Sequence, residues 1–129
     1  MCGIAGWTDF KSSLENKSGI MEKMRQCISH RGPDSEGYFS DVHCRLSHTR
    51  LAVIDVEKGA QPMSSGSCTI VYNGELYNTE DIRSELKKCG CSFSTRSDTE
   101  VLLKAYITWG EKCLERLNGI YAFAVWNSV

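Results

Sequence analysis

The nine residues Gly119–Asn127, Gly-Ile-Tyr-Ala-Phe-Ala-Val-Trp-Asn, constrain the fold of this chain more than any other stretch. Ile120, Tyr121, Phe123, Val125 and Trp126 fall on both faces of an extended strand, so neither face suits water. The run predicts an interior strand between two covering layers. It holds no proline or lysine to blunt a sheet edge, and only Asn127 and Ser128 follow it as polar residues.

The rest of the chain supplies candidates for those layers. Residues 18–29 place Ile20, Met24, Cys27 and Ile28 on one helical face, with Lys17, Glu22, Lys23 and Arg25 outside. His30-Arg31-Gly32-Pro33-Asp34 stops that helix and reads as a loop with Arg31 solvated. Residues 38–40, 43–47 and 50–56 read as short strands of an antiparallel meander. In the last, Leu51, Val53 and Asp55 alternate against Ala52, Ile54 and Val56. Gly59-Ala60-Gln61-Pro62-Met63 reads as a bend and 64–67 as a polar loop. Strand 68–72 runs into Asn73-Gly74, a strong hairpin signal. No strand follows within two residues, so the pair is expected to end the strand and lead into a helix at 78–88. That helix turns Ile82 and Leu86 inward and stops at Gly90. Ser97-Asp98-Thr99-Glu100 has the pattern of a capping box ahead of a largely buried helix, and Asp98 in its first turn suits the helix dipole. Gly110 interrupts, and 112–117 makes a short helix.

At 129 residues the chain is one domain by length, and a real core is possible without staples. A hydrophobic share of 41% with a formal charge of -1 shows neither a basic stripe for nucleic acid nor an acidic tail for a cationic partner. The longest apolar run is far shorter than the ~20 residues of a membrane helix, and the N-terminus carries no charged leader with an apolar stretch. A cytoplasmic location is expected, with no nucleic acid and no membrane as partner. The seven cysteines (Cys2, Cys27, Cys44, Cys68, Cys89, Cys91 and Cys113) are odd in number and scattered, which reads as reduced thiols. Cys89-Gly90-Cys91 with His43-Cys44 has the wrong spacing for a known zinc site, so no metal or cofactor is expected.

Residues 2–7 alone read either as an ordinary first strand with a half-buried cysteine or as a strand that presents Cys2 as a nucleophile. Once Met1 is removed, Cys2 carries an α-amine with an ordinary pKa of roughly 8, so one residue holds both nucleophile and base. Gly3, Ala5 and Gly6 behind it suit a strand that runs close to other backbone and leaves its end accessible.

Several stretches together resemble one family. They are Met1-Cys2-Gly3-Ile4-Ala5-Gly6, Arg31-Gly32-Pro33-Asp34, Leu46-Ser47-His48-Thr49-Arg50-Leu51-Ala52-Val53-Ile54-Asp55, Gly59-Ala60-Gln61-Pro62-Met63, Tyr72-Asn73-Gly74-Glu75-Leu76-Tyr77-Asn78, Ser97-Asp98-Thr99-Glu100 and Gly119-Ile120-Tyr121-Ala122-Phe123-Ala124. In order and spacing they are similar to the class II, N-terminal-nucleophile glutamine amidotransferase domain of asparagine synthetases. Related amidotransferases read Arg-Trp-Ala-Thr-His where this chain has Arg50-Leu51-Ala52-Val53-Ile54, which favours the asparagine synthetase branch.

The resemblance implies an α+β fold: an Ntn-hydrolase-like α/β/β/α sandwich of antiparallel sheets, incomplete at the C-terminus because the family's domain runs tens of residues further before a synthetase domain. It implies that Cys2 attacks the side-chain amide of L-glutamine, with Asn73 and Gly74 as the oxyanion hole. Arg50 would clamp the α-carboxylate, Glu75 and Asp98 the α-ammonium, with backbone groups near Leu51 and Val53 contributing. No Ser-Gly-Gly-x-Asp-Ser loop for ATP phosphates is present, so the expected role is a glutaminase module serving a synthetase domain or chain. The rival is a truncated, inactive fragment that only binds or assembles. By the same resemblance the next strand would pair with 119–127, so an exposed sheet edge and a homo-oligomer are expected.

Overall fold

The computed structural model describes residues 1–52 and 57–129. The expected strand at 50–56 lies largely outside the described residues, as does Val53. What is described of it is Arg50, which closes the preceding strand, and Leu51-Ala52, which are not extended into the sheet.

Two antiparallel sheets stack face to face. One holds β1 (Gly3–Thr8), β2 (Ser35–Ser40) and β3 (Cys44–Arg50) in the order β1-β3-β2; the other holds β4 (Met63–Ser65), β5 (Cys68–Leu76) and β6 (Gly119–Asn127) in the order β4-β5-β6. Between them Cys44 and Leu46 of β3 pack on Val71 of β5, with Ile4, Phe39 and Trp126 around them. Helix α1 (Ser18–Ile28) covers the outer face of the first sheet, with Thr49 Oγ1 donating to Ile28 O at 3.1 Å. Helices α2 (Thr79–Lys88) and α3 (Asp98–Trp109) cover the second. There Ile70, Tyr72 and Leu76 meet Leu102 and Leu103. The layers therefore run α/β/β/α, as the resemblance implied.

The strand buried on both faces is β5, not β6. Cys68, Ile70 and Tyr72 point to the helices while Val71 points to β3, and all four are buried. Strand β6 has the expected bounds but pairs with β5 alone among the described strands. Tyr121, Phe123 and Val125 pack beneath the helices, whereas Ala122 and Ala124 are exposed and Ile120 is 68% exposed. On the other face of β6, among the described residues, only Trp126, at the far end, meets the first sheet, which stacks mainly over β5.

Asn73-Gly74 does not end β5. The strand continues to Leu76 because β6 offers it a nine-residue ladder, from Cys68↔Asn127 to Leu76↔Gly119. A hairpin dipeptide has yielded to a partner far along the chain. Glycine at 74 answers a close approach: an added Cβ would sit 2.4 Å from Ile120 O and 2.6 Å from Tyr121 Cα.

Other expectations are corrected in detail. The buried face of α1 is Met21 with half-buried Met24, Arg25 and Ile28, one residue's rotation from that expected, so Ile20 and Cys27 are exposed. The expected strands at 43–47 and from Arg50 are joined in one strand, Cys44–Arg50, with His43 outside it, and part of the expected polar loop at 64–67 is β4. Arg31 is not solvated: half-buried, it donates from Nε to Cys2 O at 3.0 Å. Helix α2 buries Ile82 and Leu86 and stops before Gly90, whose φ of 90° suits glycine.

Helix α3 is capped as expected on one side, with Glu100 N–H donating to Ser97 Oγ at 3.2 Å. The reciprocal bond of a capping box is replaced. The buried Glu100 carboxylate accepts instead from Ser94 N–H and Thr95 N–H, the latter at 2.7 Å, and from both hydroxyls. Burial acts to raise its pKa, and these bonds outweigh it, lowering the value overall. The loop before α3 is thereby tied to the helix that carries Asp98.

Candidate active site

Cys2 stands immediately before β1, where register sets Gly3 opposite Thr49 of β3. The thiol reaches across to the residue that follows β3. Leu51 N–H donates to Cys2 Sγ at 3.4 Å, and the sulfur lies 3.6 Å from Leu51 O. Residues 50–52 are held in turn by the Arg31–Asp34 turn: Asp34 N–H donates to Arg50 O at 3.0 Å, and Ala52 N–H donates to Asp34 Oδ2 at 2.8 Å. A motif with no evident chemistry in the sequence thus shapes the wall behind the sulfur.

The half-buried sulfur borders a pocket of about 390 Å³, within the range of small-molecule sites. Arg50 at the end of β3 and Leu51 just after it line one side, Asn73, Gly74 and Glu75 line it from β5, and Asp98 from the first turn of α3. Of the residues expected at the site, all but Val53, which is not described, border this one cavity. Met1 also borders it, 69% exposed, with its peptide bond occupying the Cys2 nitrogen. Arg50 on one side and Glu75 and Asp98 on the other give the walls side-chain charges of both signs to offer to a zwitterion.

Three residues escaped the sequence reading. Tyr72 is 3% exposed, and its hydroxyl donates to Asp98 Oδ2 at 2.8 Å. Burial first, and then the Asp98 charge, push the phenol well above its ordinary range, so it stays a donor. Gln61 accepts from Tyr72 N–H at 2.6 Å through Oε1 and donates to Thr99 Oγ1 at 3.2 Å. His48, fully buried between the sheets, donates from Nε2 to Tyr72 O at 3.2 Å. Burial, with the nearby Arg50 cation, lowers its pKa to about 4 despite that bond. Each lies in a stretch singled out above, but a backbone partner across a layer leaves no trace in local pattern.

Both the fold and the sequence have known relatives. The structure of the glutamine phosphoribosylpyrophosphate amidotransferase from B. subtilis complexed with ADP and GMP matches at a TM-score of 0.77, over 98% of this chain and 35% of that one, at 22% identity. That match shows the fold, the Ntn-hydrolase-like sandwich of the amidotransferases. The family model described as glutamine amidotransferase domain matches residues 1–129, and the chain belongs to that family. It is 51% identical over 131 aligned residues to asparagine synthetase [glutamine-hydrolyzing] 3 of Bacillus subtilis, covering 98% of this chain and 21% of that protein. Against asparagine synthetase B [glutamine-hydrolyzing] of Escherichia coli it is 37% identical, covering 99% and 23%. The chain spans about a fifth of the length of these curated relatives. Among the described residues no helix is long and apolar enough to cross a membrane.

Proposed function

We propose that this chain is the glutamine-hydrolysing unit of an asparagine synthetase-type protein, releasing ammonia through Cys2. The observation that carries the reading is the Cys2 sulfur, held by Leu51 N–H on the wall of the cavity that Arg50, Asn73, Gly74, Glu75 and Asp98 also line. After removal of Met1, the α-amine takes the thiol proton as sulfur attacks the side-chain amide carbon. The alkoxide accepts hydrogen bonds from the Asn73 amide and Gly74 N–H, each worth ~3 kcal/mol in such sites. Collapse breaks the C–N bond, the amine's proton leaves with ammonia, and a glutamyl thioester remains. Water, deprotonated by the same amine, then cleaves the C–S bond to give glutamate and free thiol. Arg50 pairs with the α-carboxylate, and Glu75 and Asp98 with the α-ammonium. By the resemblance, backbone groups near Leu51 and Val53 contribute as well, Val53 lying outside the described residues.

The ammonia passes to a synthetase domain or chain, as the names of the relatives suggest, since the phosphate-binding loop of the ligase step is not among residues 1–129. Seven free cysteines suit a reducing, cytoplasmic setting. Ammonia release from glutamine by Met1-free protein, with Cys2→Ala as control, tests the reading; release that survives Cys2→Ala removes it.

The second reading, a module that binds and assembles without catalysis, draws on Met1 and on β6. Among the described residues the side of β6 away from β5 has no strand partner, and it offers main-chain donors and acceptors beside exposed Ile120. It suits pairing with a second copy of this chain. Sedimentation equilibrium should show concentration-dependent dimers, and a monomer at high concentration would remove the pairing.

A further inference from the structure

Asp98 borders the pocket with one carboxylate oxygen already committed, since Oδ2 accepts from the Tyr72 hydroxyl at 2.8 Å. Tyr72 has no freedom to follow a drifting partner. Its N–H is tied to Gln61, its carbonyl to His48, and its ring is buried against the α3 core. Gln61 in turn is tied to Thr99, the neighbour of Asp98. Tyr72 is thus a fixed post, built from β5, β3 and α3 together, with its hydroxyl aimed at a single oxygen. A carboxylate held in this way presents its charge at one place; released, it turns and is solvated, and selects a cation poorly.

We propose that Tyr72 is the positioning residue that sets recognition of the substrate's α-ammonium group, by holding the Asp98 carboxylate against the pocket wall. The inference rests on the glutamine reading of the site and deepens it. Tyr72 itself lines the pocket, but its hydroxyl is committed to Asp98: its effect falls on which ligands are held, not on the attack by Cys2. Selection for a free amino acid over the same side chain lacking its amino group depends on one buried hydroxyl.

The test is Tyr72→Phe, which removes that hydroxyl and keeps the ring. Glutamine KM and kcat are measured on the full Met1-free chain, together with the inhibition constant of glutaramate, which is glutamine without its amino group. Loss of a hydrogen bond to a charged group should raise the glutamine KM about ten-fold. The kcat and the glutaramate constant should stay within about two-fold, since neither depends on the ammonium contact. In an Asp98→Asn background, Tyr72→Phe should add no further change in KM. If the variant melts early, the melting shifts induced by the two ligands carry the same comparison: glutamine's should shrink and glutaramate's should not. An unchanged glutamine KM overturns the inference, as does equal weakening toward both ligands, which marks a merely structural role. Wild-type protein that neither hydrolyses nor binds glutamine overturns the functional reading itself, and the inference with it.

Discussion

Lowering the pH from 7 to 5 should cost this fold about 2 kcal/mol through His48 alone. The imidazole is fully buried between the sheets, and Nδ1 has no hydrogen-bond partner among the described residues. Protonation would therefore bury both a charge and an unpaired N–H. Burial, with Arg50 acting in the same direction, lowers its pKa from 6.5 to about 4. The unfolded chain takes up the proton below about pH 6.5, whereas the folded one resists until about pH 4. Between these values the unfolded state binds more protons, so stability falls as the pH falls through that window and is unaffected above it. The whole window is worth about 3 kcal/mol, and roughly two-thirds of it is gone by pH 5. The acidic groups with lowered pKa, Asp9, Glu22, Asp41 and Glu100, act below about pH 5 and leave the comparison between pH 7 and pH 5 clear. Urea denaturation at pH 7 and pH 5 measures the loss. His48→Gln keeps a donor for Tyr72 O but cannot titrate, and its loss between the two pH values should shrink to under about 0.5 kcal/mol. Equal losses in the two proteins, or none in wild type, would refute the argument.

Protein that retains Met1 should release no ammonia from glutamine, because the Cys2 nitrogen is then an amide; intact mass paired with an ammonia assay checks this, and strong Cys2-dependent release with methionine present counts against it. Gly74→Ala should destabilise the fold by about 2 kcal/mol or more, since its Cβ would press on the backbone of Ile120 and Tyr121; a thermal melt close to wild type would show that β6 yields easily. Arg50→Ala in a Cys2→Ala background should weaken glutamine binding by more than the ~1 kcal/mol of a surface ion pair, as read by calorimetric titration, and unaltered affinity would remove Arg50 from the site.

The sequence by itself was enough for the elements whose signals are local. Ile82 and Leu86 recur at helical spacing before Gly90, Ser97 caps α3, and the apolar run Gly119–Asn127 is extended to its last residue. The family resemblance carried by the ordered motifs also named residues that border the pocket, apart from Val53, which lies outside the described residues. What the chain could not show is who lies across from whom. Asn73-Gly74 carries hairpin chemistry, and only the β6 ladder arriving more than forty residues later makes it mid-strand. Residue pattern marked β6 as buried on both faces, yet the stacking of the two sheets gave that place to β5. Tyr72 read as one more apolar strand residue until α3 brought Asp98 to its hydroxyl and β3 brought His48 to its carbonyl. Hydrogen bonds between layers join residues with no periodic relation, so their pairing is decided only when the sheets and helices pack.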